Sequence, residues 1–279
     1  MSARLMQAGG RIDTRSPVNW QHPLTAGLAG WWLALPNTAG GSRLANLTGR
    51  DPGTLTNGPT WAAGADGFAA VSFDGTNDVV TAPLAAAAVS GGYTFLVRCA
   101  STVAAGGTTN QWVLNYGAGN ENVEILWGHV SLGYRGAFMM SGGGSYPKVN
   151  FLTLPAAGQW VTLGMSWNGS AISGYLDGVS QGTAACGAFG TPAAEALAVG
   201  AGNATGSGSQ PWPGLIESVL AFRRPLSAAD HAGWHRQFRA GLPDVLRRYT
   251  PRAWLSAPVS PPPPAGSFPA AVIGGGFGW

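Results

Sequence analysis

Between residue 28 and about residue 222 the chain is a succession of short apolar runs of alternating polarity, each closed by Gly, Pro, Asn or Asp. Side chains on a strand alternate between two faces, so each run buries one face. A string of them joined by tight turns closes as an antiparallel sandwich or barrel. Tyr93, Phe95, Val97 and Cys99 alternate with Thr94, Leu96, Arg98 and Ala100, which puts Arg98 on the face opposite the inward set. Val161, Leu163, Met165 and Trp167 repeat the pattern, Asn168-Gly169 supplies a hairpin turn, and Ile172, Gly174 and Leu176 line the returning strand. Asp177-Gly178 then turns into a short Val179–Gly182 segment, completing a β-meander. Ala196–Gly200 and Leu215–Phe222 read as two further strands. With 44 Gly and 20 Pro in 279 residues and only 10% charged side chains, coiled coils and helical bundles are excluded. The 45% hydrophobic content excludes disorder of the whole chain. No apolar run approaches the roughly 18 residues of a membrane span, so no membrane partner is expected.

Helical texture occurs once. Ser227 followed by Asp230 starts a capping-box-like segment, Gly241 ends it, and Trp234 and Phe238 lie four apart, an aromatic stripe with which a short helix docks. His231 and His235 also lie four apart, but HAGWH lacks the glutamate of a zinc-protease helix and no third ligand accompanies them. The expected organisation is a basic N-terminal arm (1–23), a sandwich (24–225), a docking helix (226–241) and a Pro/Gly-rich C-terminal arm (242–279) containing SPPPP and ending in GGGFGW. Residues 1–50 carry net charge +4, residues 51–220 net −6, and residues 221–279 net +5. Basic ends around an acidic middle suggest ends that touch something acidic, such as the middle of a neighbouring copy, with solvated arginines on flexible ends as the alternative. The cations are scattered and accompany no nucleic-acid motif, so no nucleic-acid partner is expected. Cys99 and Cys186 match no zinc or redox spacing and read as buried thiols.

Several segments together carry a family resemblance: GLAGWWLAL (27–35), LTNGPTWAAGADGFAAVSFDGTNDVV (55–80), YTFLVR (93–98), QWVTLGMSWNGSAISGYLDG (159–178), LAVGAG (197–202) and GLIESVLAFRRPLSAAD (214–230). Over roughly residues 24–240 the chain resembles the laminin G-like, concanavalin A-like jelly-roll domains. That implies an all-β, two-sheet antiparallel jelly-roll sandwich with one short C-terminal helix and extended terminal arms. The copy also looks like versions found in tailed-bacteriophage virion proteins. MSARLMQAGGRIDTRSP lacks the apolar core of a secretory signal, in keeping with assembly in the host cytoplasm.

The resemblance includes glucanases, whose retaining chemistry needs an acid and a nucleophile roughly 5 Å apart. Glu121 and Glu124 are the nearest approach here, but a spacing of three places them on opposite faces of a strand. No nucleophile elbow and no phosphate loop occur, and no Ser-His-Asp set can be assembled from sequence. The chain is therefore expected to be non-enzymatic and without a cofactor. Calcium is the one metal the resemblance brings, through Asp74, Asn77 and Asp78, and a tight turn explains the same residues. Sugar binding would use loop aromatics beside amides and carboxylates. Trp212, Tyr146 and Asn203 are the candidates, with Trp127 as another, in the 141–147 and 203–213 loops. Core packing explains the aromatics as readily.

The resemblance to phage virion versions implies a structural protein of a phage virion, expected as a head-decoration protein held to capsid subunits or to copies of itself. Arg4, Arg11 and Arg15 at one end and Arg247, Arg248, Trp254, Phe268 and Trp279 at the other would make the assembly contacts. The alternative is a glycan-binding or tail-associated receptor-binding module.

Overall fold

In the computed structural model the described residues are 11–12, 17–35, 40–65, 68–85, 91–106, 110–118, 121–128, 136–141, 146–186, 196–206, 211–246 and 248–249. In chain order the strands are β1 (Arg11–Ile12), β2 (Leu28–Leu33), β3 (Arg43–Leu44), β4 (Gly53–Thr56), β5 (Thr60–Ala63), β6 (Ala69–Asp74), β7 (Val79–Ala82), β8 (Tyr93–Ser101) and β9 (Gln111–Ala118). They continue with β10 (Glu121–Gly128), β11 (Ala137–Ser141), β12 (Lys148–Asn150), β13 (Val161–Trp167), β14 (Ala171–Leu176), β15 (Val179–Ala185), β16 (Leu197–Val199), β17 (Pro213–Phe222) and, after helix α1 (Ala228–Arg239), β18 (Arg248–Tyr249). Sheet I has the order β12-β11-β10-β9-β16-β7-β4-β3. Sheet II has the order β15-β14-β13-β8-β17-β6-β5, with β2 also paired to β17. Two antiparallel sheets stacked face to face make the expected jelly-roll sandwich.

The core between the sheets takes the inward residues of both patterns: Phe95, Val97 and Cys99 of β8, Val161, Leu163 and Met165 of β13, and Val113, Tyr116, Val123, Ile125 and Phe138 of sheet I. The expected meander is β13-β14-β15, and its last strand extends three residues further than the sequence suggests. Asp177 takes φ 52°, and Gly178 follows at 78°, so this turn uses two left-handed residues. A side chain at Gly178 would also strike the α1 backbone at Ala232, 2.7 Å away.

A second apolar layer covers the outer face of sheet II. Trp31, Leu33, Leu96, Leu220 and Phe222 meet Trp234, Phe238 and Leu242 together with Val18, Val245 and Leu246. All nine residues of β8 are buried as a result, since one face meets sheet I and the other meets the helix. Helix α1 begins at the expected capping box: Ser227 accepts from the Asp230 amide, and the Asp230 carboxylate accepts from the Ser227 amide. Trp234 packs edge-on against Trp31 at 5.4 Å. Cys99 and Cys186 are both buried and unpaired.

Beneath the helix lies a buried polar chain. Thr94 Oγ1 donates to the Arg224 carbonyl (3.0 Å) and accepts from the Leu226 amide (2.8 Å), so the Ser166 hydroxyl, 2.7 Å away, donates to Thr94. Ser166 then accepts from His231 Nε2–H at 2.8 Å, which assigns the tautomer. The imidazole stacks on Tyr175 at 3.8 Å and sits where Gly164 has no side chain; a Cβ there would lie 2.4 Å from Nδ1.

Two short strands, β1 and β18, pair beside this layer. Arg11 pairs with Tyr249 and Ile12 with Arg248, and Val18 bridges to Leu246. The side chains of Arg11 and Arg248, together with Arg4, Arg15, Arg247, Trp254, Phe268 and Trp279, lie outside the described residues.

Candidate functional site: the outer face of sheet I

Strand register places one residue from each strand of sheet I in a single transverse row. It runs Lys148, Met139, Glu124, Asn115, Ala198, Thr81, Thr54 and Arg43, each directly opposite the next. Each alternates with an inward core neighbour, such as Ile125, Leu114, Val80 or Leu55, so the row faces away from sheet II. Its ends are polar and its middle is recessed: Thr54 and Arg43 are exposed, whereas Glu124 is only 6% exposed.

Glu124 stands beside an apolar floor of Trp112, Leu126, Ala137 and Met139. Burial pushes its carboxyl up to about 7, and a hydrogen bond from the Trp112 indole partly opposes the shift. No second carboxylate contributes to this perturbation. A group poised near neutrality both donates and accepts, which suits a hydroxyl-rich partner. Glu124 Oε2 and Asn115 Oδ1 are buried without a partner on the protein. The backbone of Glu121 lies on β10 opposite Ala118, three residues from Glu124, and its side chain lies outside the described residues.

The loop 200–206 crosses the row. Asn115 Nδ2 donates to the Gly202 carbonyl, and Thr81 Oγ1 donates to the Ala204 carbonyl at 2.9 Å. Asn57 Nδ2 ties the loop to the neighbouring turn through the carbonyls of Asn77 (2.9 Å) and Thr205 (3.0 Å). Asn203 is exposed within this loop, where its Oδ1 accepts from the Thr205 amide and hydroxyl. One candidate from the sequence is therefore beside the row.

Trp212 is not. It is fully buried in the core, edge-on to Trp127 at 5.1 Å, so neither ring is a loop aromatic able to stack on a sugar. The Gly/Ser/Pro context of Trp212 looks like an open loop, but its amide bonds to the Gly200 carbonyl and pulls the ring under the sheet. Trp127 likewise donates from its indole to the Val103 carbonyl. Tyr146 is 51% exposed, while residues 142–145 before it lie outside the described residues. The row itself escapes sequence reading, because its members come from eight strands whose lateral order is set by crossovers. The one local signal is Glu124 at the head of the apolar run Ile125–Trp127.

Asp74, Asn77 and Asp78 do meet, as a turn. Asp78 Oδ2 accepts from the Asp74 amide at 2.9 Å, Asp74 Oδ1 accepts from the Thr76 amide at 2.7 Å, and Gly75 takes φ 78°. Burial raises the Asp78 carboxyl above its ordinary value, against the backbone hydrogen bond that lowers it. These bonds account for two of the carboxylate oxygens without any cation.

His231 and His235 serve the helix. His235 Nδ1 lies 3.2 Å from Thr162 Oγ1 and 3.4 Å from the Asp177 carboxylate. Both partners engage the same ring nitrogen, so the ring cannot take the hydroxyl proton on one nitrogen while a carboxylate holds the N–H of the other, as a triad requires.

Residues 74–230 match the family described as the concanavalin A-like lectin/glucanases superfamily, Laminin_G_3. The chain belongs to this superfamily. No curated protein matches it. Among solved structures the fold is similar to domain 4 of AbnA, an extracellular arabinanase of Geobacillus stearothermophilus in complex with arabinotriose. The TM-score is 0.59 at 16% identity, covering 74% of this chain and 97% of that domain. A mutant sialidase of Trypanosoma rangeli displaying trans-sialidase activity is similar at TM-score 0.55 and 12% identity over 77% of this chain, which spans 34% of the sialidase chain. The binding domain of Paraclostridial Mosquitocidal Protein 1 is similar at TM-score 0.55 and 10% identity, with 77% of this chain and 53% of that one covered. At these identities the likeness is one of fold.

Proposed function

We propose that this chain is a non-catalytic glycan-binding module whose site is the transverse row on sheet I. The observation that carries the reading is the conjunction, at the centre of the row, of one carboxyl oxygen of Glu124 and the amide oxygen of Asn115, both lacking a protein partner, against the Trp112 floor. Sugar hydroxyls supply donors to the polar centre of the row, and the ring carbons cover apolar surface. Glycoside hydrolysis is disfavoured because two carboxyl groups must flank the scissile bond and the row carries Glu124 alone. The arabinanase domain, alike along nearly its whole length, was solved with arabinotriose and lends support to a saccharide ligand.

The test is a glycan array followed by titration of wild type and Glu124→Gln/Asn115→Ala with the best neutral oligosaccharide, arabinotriose included. The proposal expects binding without turnover and at least a tenfold loss in the double variant. Unchanged binding, or release of shortened sugar, refutes it.

A second reading concerns where the module is displayed. The pairing of β1 with β18 sets Arg11–Ile12 beside Arg248–Tyr249, which favours attachment of the sandwich through both arms at one place. A phage head surface, or a neighbouring copy, is the partner proposed for them. Calcium at the 74–78 turn is not needed by either reading. Fractionating a source lysate into heads, tails and soluble protein tests the attachment: stoichiometric recovery with heads supports it, and recovery only as soluble protein overturns it.

A further inference from the structure

An open cleft of about 550 Å³ lies at one end of sheet I, two residues along the chain from the row members Thr81 and Ala198. Its walls are Gly49, Arg50 and Asp51 from the β3–β4 connection, Pro83, Leu84 and Ala85 after β7, and Ala196 before β16. The volume falls within the roughly 300–1,000 Å³ typical of small-ligand sites.

The walls are held in place. Asn46 Nδ2 donates to the Asp51 carbonyl at 3.2 Å, and Asn46 Oδ1 accepts from the Trp31 and Thr48 amides, so the 49–51 wall is clamped to the sandwich. The opposite wall is fixed by the buried Tyr116 hydroxyl, which donates to the Leu84 carbonyl at 3.1 Å. Leu84 itself is part of the core, so the cleft has an anchored apolar side.

Among the described residues no carboxylate pairs with the Arg50 guanidinium, and Asp51 beside it makes no ion pair either. A fixed cleft with an unpaired guanidinium, an adjacent carboxylate and an aliphatic wall has the parts for one class of ligand. The guanidinium takes a carboxylate through two parallel hydrogen bonds, the carboxylate accepts from hydroxyls, and Pro83, Leu84, Ala85 and Ala196 meet a ring face.

We infer that this cleft is a second saccharide subsite, selective for a carboxylated sugar such as a uronic or sialic acid. The inference rests on the glycan-binding reading and adds to it an acidic unit and a subsite beyond the Glu124 and Asn115 centre of the row. Arg50 is the specificity-determining residue, and Asp51 excludes simple anions that bring no hydroxyls.

The experiment is calorimetric titration of the full chain with sialyllactose and a glucuronate-containing oligosaccharide, each beside its neutral counterpart, on wild type, Arg50→Gln and Glu124→Gln/Asn115→Ala. The expected result is preference for the acidic sugars, weakened roughly tenfold by Arg50→Gln and by raised salt, with the preference retained in the double variant. Acetate at equal ionic strength should not compete. Equal affinity for acidic and neutral sugars, or a preference untouched by Arg50→Gln, overturns the inference and leaves the row reading standing. Absence of binding by every sugar at millimolar concentration overturns both. Because Arg50 is exposed on a connection and its side chain bonds to nothing else described, the variant should fold as the wild type does.

Discussion

His231 makes the docking of helix α1 sensitive to acid. Its side chain is 1% exposed, stacked on Tyr175 and bonded through Nε2 to Ser166. Burial lowers its pKa from 6.5 to about 3, with the Asp230 carboxylate opposing the shift and Arg224 adding to it. The folded protein therefore holds the neutral ring where the unfolded chain takes up a proton. The stability this contributes is complete above pH 6.5, and it drains away as pH falls toward 3. A shift from 6.5 to about 3 corresponds to about 5 kcal/mol when fully expressed. At pH 5, about 2 kcal/mol should already be lost, a sizeable fraction of a typical domain's stability. Glu124 and His235 also titrate in this range, so the informative quantity is a difference between proteins. Urea unfolding of wild type and His231→Gln at pH 7.5 and pH 5.0 isolates it, because the other groups are common to both. Wild type should lose about 2 kcal/mol more than the variant across that interval. Equal losses would mean that the ring is protonated in the folded state or reached by solvent, and the packing argument would fail.

The same reasoning gives Glu124 the opposite sign. Its carboxyl is raised from 4.5 to about 7, so its contribution is complete below pH 4.5 and is lost as pH rises through 7. Glu124→Gln should flatten that loss, a gain of about 3 kcal/mol at pH 8 relative to pH 4.5, read by denaturant titration. Trp212→Ala should cost about 3–5 kcal/mol in unfolding free energy by emptying the core beside Trp127, and should not act as a sugar-specific lesion in a folded protein. Ser227→Ala removes the α1 cap and should cost about 1 kcal/mol, seen as a lowered Tm with glycan binding intact.

What the sequence determined by itself was local. Period two in Tyr93–Cys99 and Val161–Trp167, the Asp177-Gly178 turn and the Ser227/Asp230 cap specify strands, hairpin and helix because each is settled by sterics and hydrogen bonds within a few residues. Asp74, Asn77 and Asp78 were likewise legible as a turn. Tertiary structure decided everything lateral. Arg43 and Lys148 end one row only because the order β12-β11-β10-β9-β16-β7-β4-β3 sets distant segments side by side. Trp212, read from its neighbours as a loop ring, was drawn into the core by packing against Trp127. Leu96 and Thr94, on the face that alternation left open, were covered by a helix from more than a hundred residues further along. Apolar burial is non-directional and answers to whatever surface the crossovers bring near, so which side chains meet across the sheets was decided by the fold.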